Sequence, residues 1–281
     1  MTTFSASDAA LEGFQVLKRH WRVAVGWAVF YVVAAVAVAV ASAIVGAVLV
    51  GTGAASQEAV QAALGPIVGL LWLVATPLML AAGVYRLMLA PDAPGFLHLR
   101  TGPDELRLLA VWAVLAVVIG VGGFATAFVA GGLSSAASRW VGWPAGIACA
   151  LALWLVAGRL CLAQADVMAQ RRIDFVRAWR LGRGKSWALV GMGLITACLL
   201  GMIGVVTWVA LFFVGGALTG FGDLGLSDAD SLTAHPGRYL FEALAELLLT
   251  PVFIILAHAP VAAAYRALSG HPSPSGEGGS R

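Results

Sequence analysis

The sequence predicts an all-α integral membrane protein with six transmembrane helices, paired as three hairpins with cytoplasmic interfacial elbow segments. Three observations predict this class. Of the 281 residues, 60% are hydrophobic and only 11% are charged, whereas a soluble domain carries about 25% charged residues. Six apolar runs each reach the ~20 residues that a helix needs to cross the hydrocarbon core. Basic residues concentrate in every second connection between these runs.

The six apolar runs have their cores at residues 23–50, 60–85, 108–130, 143–165, 187–216 and 239–265. Five uncharged stretches are bracketed by charged residues, and in the fourth stretch the bracketing Arg159 lies inside the core. The sixth is interrupted only by Glu242, Glu246 and His258. Transmembrane strands are about 9–11 residues long and alternate with polar positions. Long runs that are apolar all round therefore indicate helices.

Three regions follow from these runs. Residues 1–22 form a predicted cytoplasmic interfacial segment, 23–268 the six-helix transmembrane domain, and 269–281 a disordered cytoplasmic tail. The tail ends in HPSPSGEGGSR, a composition that does not support a packed core. Ala41-Ser42-Ala43 resembles a signal-peptide cleavage site, but the first apolar run is longer than the 7–15-residue hydrophobic region of a signal peptide. We therefore expect a retained signal-anchor helix.

Basic residues predict the orientation, because Lys and Arg near span ends accumulate on the cytoplasmic side. Fifteen of the 17 Lys and Arg flank the spans on one side, and only Arg139 and Arg238 lie on the other. We expect both termini in the cytoplasm and place the protein in the cytoplasmic (inner) membrane of a bacterium. The opposite side carries acidic residues: Glu58, Asp223, Asp228 and Asp230.

A segment rich in aromatic and basic residues precedes each odd-numbered span. These segments, which we call the first, second and third elbow, cover residues 14–22, 96–107 and 175–187. Each even-numbered span ends at a single arginine: Arg86, Arg159 or Arg266. This pattern indicates three hairpins. It reflects either internal repetition or only the shared requirements of interfacial anchoring, and the sequence leaves both interpretations open.

The third elbow contains Gly-Arg-Gly-Lys-Ser, which looks like the end of a nucleotide-binding P-loop. That motif needs a glycine five residues before Gly184, between a strand and a helix. The residue there is Trp179, and no strand pattern precedes it. We therefore expect neither a nucleotide nor a nucleic acid as ligand. The aromatic and basic residues instead predict an interfacial segment whose basic side chains contact lipid phosphates: Arg171, Arg172, Arg177, Arg180, Arg183 and Lys185.

Ionisable residues inside the spans form a second candidate site, because such residues are costly in lipid and often functional. Glu242 and Glu246 lie one turn apart on span six, and Arg238 lies one turn before them. They form either an ion or proton site inside the membrane or a structural group at the outer interface. A position near the membrane interface lowers the free-energy cost of burying these charged side chains, and this favours the structural interpretation.

Spans four and six carry the remaining intramembrane polar candidates. Arg159 and Asp166 lie two turns apart on one face of span four, where a packing ion pair or a snorkelling arginine is the favoured interpretation. His258 lies between Pro251 and Pro260 on span six. It can bond a carbonyl group that Pro260 leaves without its helical partner.

We expect no cofactor, no metal and no enzymatic activity. Cys149, Cys161 and Cys198 all lie inside spans without metal-ligand spacing and behave as small apolar residues. Asp228 and Asp230 supply too few oxygens for the 6–8 ligands of a calcium site. The sequence shows no nucleophile paired with a base.

Two stretches carry a resemblance to a known family. RAWRLGRGKSWALVGMGLI, starting at Arg177, and PLMLAAGVYRLMLA, starting at Pro77, resemble the six-helix bacterial membrane domain that accompanies glycerophosphoryl diester phosphodiesterases. The resemblance covers residues 23–268, and relatives of this domain also stand alone. The catalytic barrel and its metal-binding acids are absent from this sequence. The resemblance therefore implies a fold and a location, and no phosphodiesterase activity.

Together these features predict a non-enzymatic scaffold or a lipid-contacting accessory protein. Its expected partners are membrane lipids with anionic headgroups on the cytoplasmic face, and the sequence identifies no protein partner. The alternative is a small transporter or channel that uses the intramembrane acids of the sixth helix. That alternative predicts a solute or proton flux that the substitution Glu246→Gln abolishes.

Overall fold

The computed structural model describes residues 5–54, 56–90, 96–99, 102–136, 138–219 and 236–270. Within these ranges the chain is α-helical, apart from one 3-10 turn at Phe96–His98 and short connections, and holds no β-strand. The predicted all-α class is confirmed. The predicted disordered tail beyond Gly270 lies outside the described residues, and so do Arg100 and the acidic outer loop.

In chain order the helices are α1 (Ala6–Arg19), α2 (Trp21–Gly51), α3 (Gln57–Leu89), α4 (Pro103–Ala136), α5 (Arg139–Leu160), α6 (Leu162–Gln170), α7 (Phe175–Leu181), α8 (Ser186–Thr219) and α9 (Pro236–Ser269). Two of the three predicted hairpins show contacts between their helices, α2 with α3 and α4 with α5. The pairing of α8 with α9 stays a prediction. Helix α6 continues α5 after a break at Cys161. The first elbow lies mostly on α1 and the third mostly on α7, whereas the second holds the 3-10 turn and the start of α4.

Six helical stretches are long and apolar enough to cross a membrane, and the predicted cores lie inside them to within one residue. Apolar side chains along these stretches are exposed on the protein surface. Six valines of α2 expose more than half of their area: Val25, Val29, Val33, Val36, Val40 and Val48. A contiguous exposed apolar surface marks a membrane contact. The chain is therefore a multi-pass membrane protein with six spans.

The chain divides into two compact units. The basic unit comprises Met1–Gln15, Ala81–Ala197 and Leu256–Arg281, and the apolar unit comprises Val16–Leu80 and Cys198–Ile255. The apolar unit holds four of the 17 Lys and Arg, which leaves 13 for the basic unit. Those four are Lys18, Arg19, Arg22 and Arg238.

The core of the basic unit is formed by the ends of several helices. Tyr85, Leu108 and Leu162 have no exposed surface. Within the same unit, α4 and α5 approach each other closely, because a Cβ atom at Gly142 would lie 2.6 Å from the carbonyl oxygen of Ala130. Small residues permit such approaches between membrane helices.

The core of the apolar unit is small and aromatic. Trp27 of α2 has no exposed surface, and Tyr31, one turn further on, is also buried. The ring of Tyr31 lies 4.8 Å from the ring of Trp72 in α3, measured between centroids. Most other side chains of α2 are exposed, as expected for a helix that faces lipid.

Three residues set the path of the chain through the third elbow. Arg171 ends α6 in the left-handed conformation, with φ of 54°. The carboxylate of Asp174 caps α7 by accepting a hydrogen bond of 2.9 Å from the backbone N–H of Arg177. Gly184 has φ of 80°, which glycine adopts without strain, and α8 begins two residues later. A helix, and not the strand of a P-loop, therefore precedes Gly-Arg-Gly-Lys-Ser.

Candidate functional site

An arginine ends each returning span, and each of these arginines contacts an elbow region of another hairpin. Arg86, near the end of α3, forms an ion pair with Glu105 in the first turn of α4. The two side chains expose only 12% and 8% of their surface. Arg86 also donates a hydrogen bond of 3.4 Å to the carbonyl oxygen of His98. We call this contact the second clasp, because it holds the second elbow.

The first clasp joins the last span to the helix of the first elbow. Arg266 of α9 donates to a carboxylate oxygen of Glu12 in α1 at 3.1 Å. The backbones are also close, because a Cβ atom at Gly13 would lie 3.1 Å from the Cα atom of Leu256. Helix α1 therefore packs against α9, and its location at the membrane interface stays a prediction.

The third clasp holds the third elbow without a carboxylate. The Nε atom of Arg159, at the end of α5, donates to the hydroxyl oxygen of Ser186 at 2.6 Å. The guanidinium group lies over the ring of Trp179, 4.6 Å from its centroid. The stem of Arg159 runs along Gly182, where an added Cβ atom would lie 3.1 Å from its Cγ atom.

The three clasps follow a cyclic order along the chain. The first returning span contacts the second elbow, the second contacts the third elbow, and the third contacts the helix of the first elbow. Shared anchoring requirements alone explain an arginine at each span end, but they do not explain why each arginine contacts the next elbow. The cyclic order therefore favours internal repetition, the interpretation that the sequence left open.

A network of polar side chains lies beneath the clasps in the basic unit. The hydroxyl of Tyr85 donates to Oε1 of Gln164 at 3.1 Å and lies 3.1 Å from Nδ1 of His258. Trp112 donates to the same Gln164 oxygen at 3.1 Å and stacks on the ring of His258. His258, which the sequence left without a partner, thus bonds a side chain 173 positions away. These contacts join α3, α4, α6 and α9.

Asp166 connects the core of the basic unit to the third elbow. Its side chain is 1% exposed, and its Oδ1 atom accepts a hydrogen bond of 2.9 Å from the hydroxyl of Tyr265. The Nε atom of Arg177 lies 3.2 Å from the same oxygen. The predicted lipid contact at Arg177 is therefore also a structural ion pair. Asp166 pairs with Arg177 and Tyr265, whereas Arg159 contacts Ser186 and Trp179. The ion pair between Arg159 and Asp166 that the sequence suggested is therefore not formed.

The other predicted headgroup contacts form an exposed surface, which we call the basic patch. It comprises Arg171, Arg172, Arg180, Arg183 and Lys185, all of them exposed. Apolar side chains are exposed between and beside them. Trp179, Trp187 and Val176 expose 36%, 69% and 59% of their surface. The structure thus brings five of the six predicted basic residues together with aromatic side chains on one segment.

The acidic candidates of span six lie near the first residue of α9. This helix has 34 residues, or roughly 50 Å at 1.5 Å per residue, which exceeds the ~30 Å hydrocarbon core by roughly 20 Å. Glu246 lies ten residues after Pro236, or roughly 15 Å from the helix start. It is exposed, and Glu242 is half-buried. Both interpretations of this acidic group, an intramembrane site or a structural group at the outer interface, stay predictions, and the side chain of Arg238 lies outside the described residues.

In the described ranges, no three His, Cys, Asp or Glu side chains come together as a metal site. The polar network and the clasps hold helices to one another. The sequence signalled the three arginines but gave no sign that Glu12 and Glu105 are their partners, because these contacts join distant segments.

Comparisons with known proteins identify no relative. No protein-family model, no curated protein and no solved structure matches the chain. The resemblance to the membrane domain that accompanies glycerophosphoryl diester phosphodiesterases therefore stays a prediction.

Proposed function

We propose that the protein is a non-enzymatic, lipid-contacting accessory or scaffold protein whose basic patch binds anionic lipid headgroups. The observation that carries this proposal is the exposure of five basic side chains beside Trp179 and Trp187 on one segment at the start of a span. Nearby basic residues each contribute about 1 kcal/mol of attraction to an anionic leaflet. Tryptophan rings prefer the headgroup level of the membrane.

The same proposal includes the location and the orientation of the chain. A patch that binds anionic headgroups belongs on the cytoplasmic face of the inner membrane, the side to which 15 of the 17 Lys and Arg are predicted to belong. Both termini would then be cytoplasmic. A relation to stand-alone bacterial six-helix membrane domains agrees with such a role and is part of the proposal.

The patch is more than a signal for orientation if its charges act at one place. Orientation depends on how many Lys and Arg lie near the span ends, whereas binding depends on where they lie on the folded surface. Asp174 is the nearest acid in sequence, and its carboxylate caps α7. Within the patch, Asp174 forms an ion pair with Arg172 alone, at 4.0 Å. The other four basic side chains of the patch are therefore not neutralised by that acid.

The test removes three charges from the patch and three from a matched segment. The patch variant is Arg171→Gln, Arg172→Gln and Arg180→Gln together. The matched variant is Lys18→Gln, Arg19→Gln and Arg22→Gln, three exposed residues at the first elbow. Each protein is extracted in polymer-bounded lipid discs, and the phosphatidylglycerol content of the discs is compared with that of the bulk membrane.

We expect the wild-type discs to be enriched in phosphatidylglycerol and the patch variant to lose most of that enrichment. The matched variant should keep more of it. Equal losses in the two variants would show that only the number of charges matters, and would overturn the proposal. A wild-type protein without enrichment would overturn it as well.

A further inference from the structure

The third clasp lacks the acid that the other two contain. In the first and second clasps the arginine faces Glu12 or Glu105. In the third, Arg159 faces the neutral hydroxyl of Ser186. Among the described residues, no carboxylate lies within ion-pair distance of Arg159, although its side chain is half-buried. A partly desolvated charge without a counter-charge is unfavourable.

We infer that a phosphate oxyanion completes the third clasp and binds Arg159 where the other two clasps hold a carboxylate. This inference rests on the proposed function, since it identifies one specific lipid-phosphate site next to the basic patch. Guanidinium groups bind phosphate through two parallel N–H bonds, and their planar geometry makes arginine well suited to this task.

Arg159 is already oriented for such a ligand. Its Nε atom is held by Ser186 at 2.6 Å, and its guanidinium plane lies against Trp179. The stem lies close to Gly182, where an added Cβ atom would lie 3.1 Å from the Cγ atom of Arg159. The two terminal nitrogens make no hydrogen bond to any described residue, so they remain as donors with a fixed direction. A fixed donor pair loses little conformational entropy when it binds.

The nearby acids are engaged elsewhere and cannot supply the missing charge. Asp166 is buried and bonds Arg177 and Tyr265. Asp174 caps α7 and lies beside Arg172. The counter-charge of Arg159 must therefore come from outside the described residues, and a membrane surface offers phosphate as its main anion.

The surroundings of Arg159 fit a phosphate at the membrane surface. Arg183 and Lys185 lie on the turn between α7 and α8 and are exposed. Their charges raise the local concentration of anions. Trp187, the second residue of α8, exposes 69% of its surface and lies at the start of a span, where tryptophan acts as an anchor. A phospholipid whose phosphate contacts Arg159 can thus keep its acyl chains beside α8.

The decisive variant restores the acid that the other clasps contain. Ser186→Asp places a carboxylate opposite Arg159 inside the protein, and it should expel the external anion while the fold is retained. Arg159→Gln removes the cation. Arg139→Gln is the control, because it removes one exposed arginine from the opposite end of the same helix.

Each protein in mild detergent is mixed with phosphatidylglycerol, and bound lipid is counted by native mass spectrometry, with and without inorganic phosphate. We expect one retained lipid per wild-type chain, and about tenfold weaker retention in Ser186→Asp and Arg159→Gln, the size of one charged hydrogen-bond contact. Arg139→Gln should match the wild type. Displacement of the lipid by millimolar inorganic phosphate would identify free phosphate as the ligand of the same site, and lack of displacement would identify the lipid headgroup.

Wild-type retention by a Ser186→Asp protein with wild-type thermal stability would overturn the inference. The inference and the proposed function fail separately. The triple patch variant should lose the general enrichment in anionic lipid but keep the single retained lipid. The Ser186→Asp variant should lose the single lipid and keep the enrichment.

Discussion

The second and third clasps occupy equivalent places in the chain but differ in chemistry. Arg86 and Glu105 neutralise each other in a nearly buried pair. Arg159 has a neutral hydroxyl and an aromatic ring as its partners. The second clasp holds a helix end in place and leaves no net charge for a ligand. The third clasp holds its elbow without an ion pair and leaves the charge of Arg159 to be neutralised, which is what a binding site requires.

The difference extends to the residues that surround each arginine. A tyrosine precedes the arginine in two of the returning spans, Tyr85 before Arg86 and Tyr265 before Arg266, and both hydroxyls bond side chains of α6. In the third clasp the equivalent position is Gly158. The third clasp therefore lacks both the acid and the tyrosine that the other two clasps contain, and its arginine is the one without a carboxylate partner among the described residues.

The largest effect should come from breaking the second clasp. Glu105→Gln leaves the charge of Arg86 buried without its acid, which typically costs about 3–5 kcal/mol of unfolding free energy. The measurement is unfolding by a denaturing detergent in mixed micelles. Asp104→Asn is the matched control on the same helical turn. Its pair with Arg107 at 2.6 Å is more exposed, so the loss should stay below about 1 kcal/mol. Equal losses would contradict a structural second clasp.

An intermediate effect is expected at the first clasp. Arg266 and Glu12 expose 15% and 25% of their side chains, so Glu12→Gln should cost about 2 kcal/mol, the value of a hydrogen bond to a charged group. The same unfolding titration measures it. Asp8→Asn, an exposed acid of the same helix, should change stability by less than about 0.5 kcal/mol. If both variants behave alike, α1 is not held by its acid.

The smallest effect is expected at the third clasp. Trp179→Leu removes the ring beneath Arg159 and should cost about 1 kcal/mol, the size of a cation–π contact. Trp187→Leu removes a more exposed ring for which no cation–π contact is found, and should cost less. A loss at Trp179 as large as that at Glu105 would mean that the third clasp is as structural as the second, and would remove the contrast between them.

Much of the fold could be predicted from the sequence, because a membrane helix is encoded locally. Twenty apolar residues in succession specify a span whatever the rest of the chain does. The six cores, the three hairpins and the elbows before each odd span are therefore readable in the printed sequence. The break between α5 and α6 at Cys161 was not predicted, because no proline or glycine pair marks it.

The site was predictable only in part, because its key contacts join residues far apart in the chain. The basic residues of the third elbow were identified from composition, and five of the six form the exposed patch. Arg177 looked like its neighbours in sequence, yet its pairing with the buried Asp166 depends on how α6 and α7 pack. The missing acid of the third clasp becomes visible only when all three clasps are compared in space.

The contact between Arg266 and Glu12 joins residues that are 254 positions apart. During synthesis Glu12 emerges early, and Arg266 emerges only after the other five spans have been made. Helix α1 must therefore wait at the membrane surface until the final helix inserts and takes it up. A chain stalled before α9 therefore leaves Glu12 without Arg266 and leaves the face of α1 that packs on α9 uncovered.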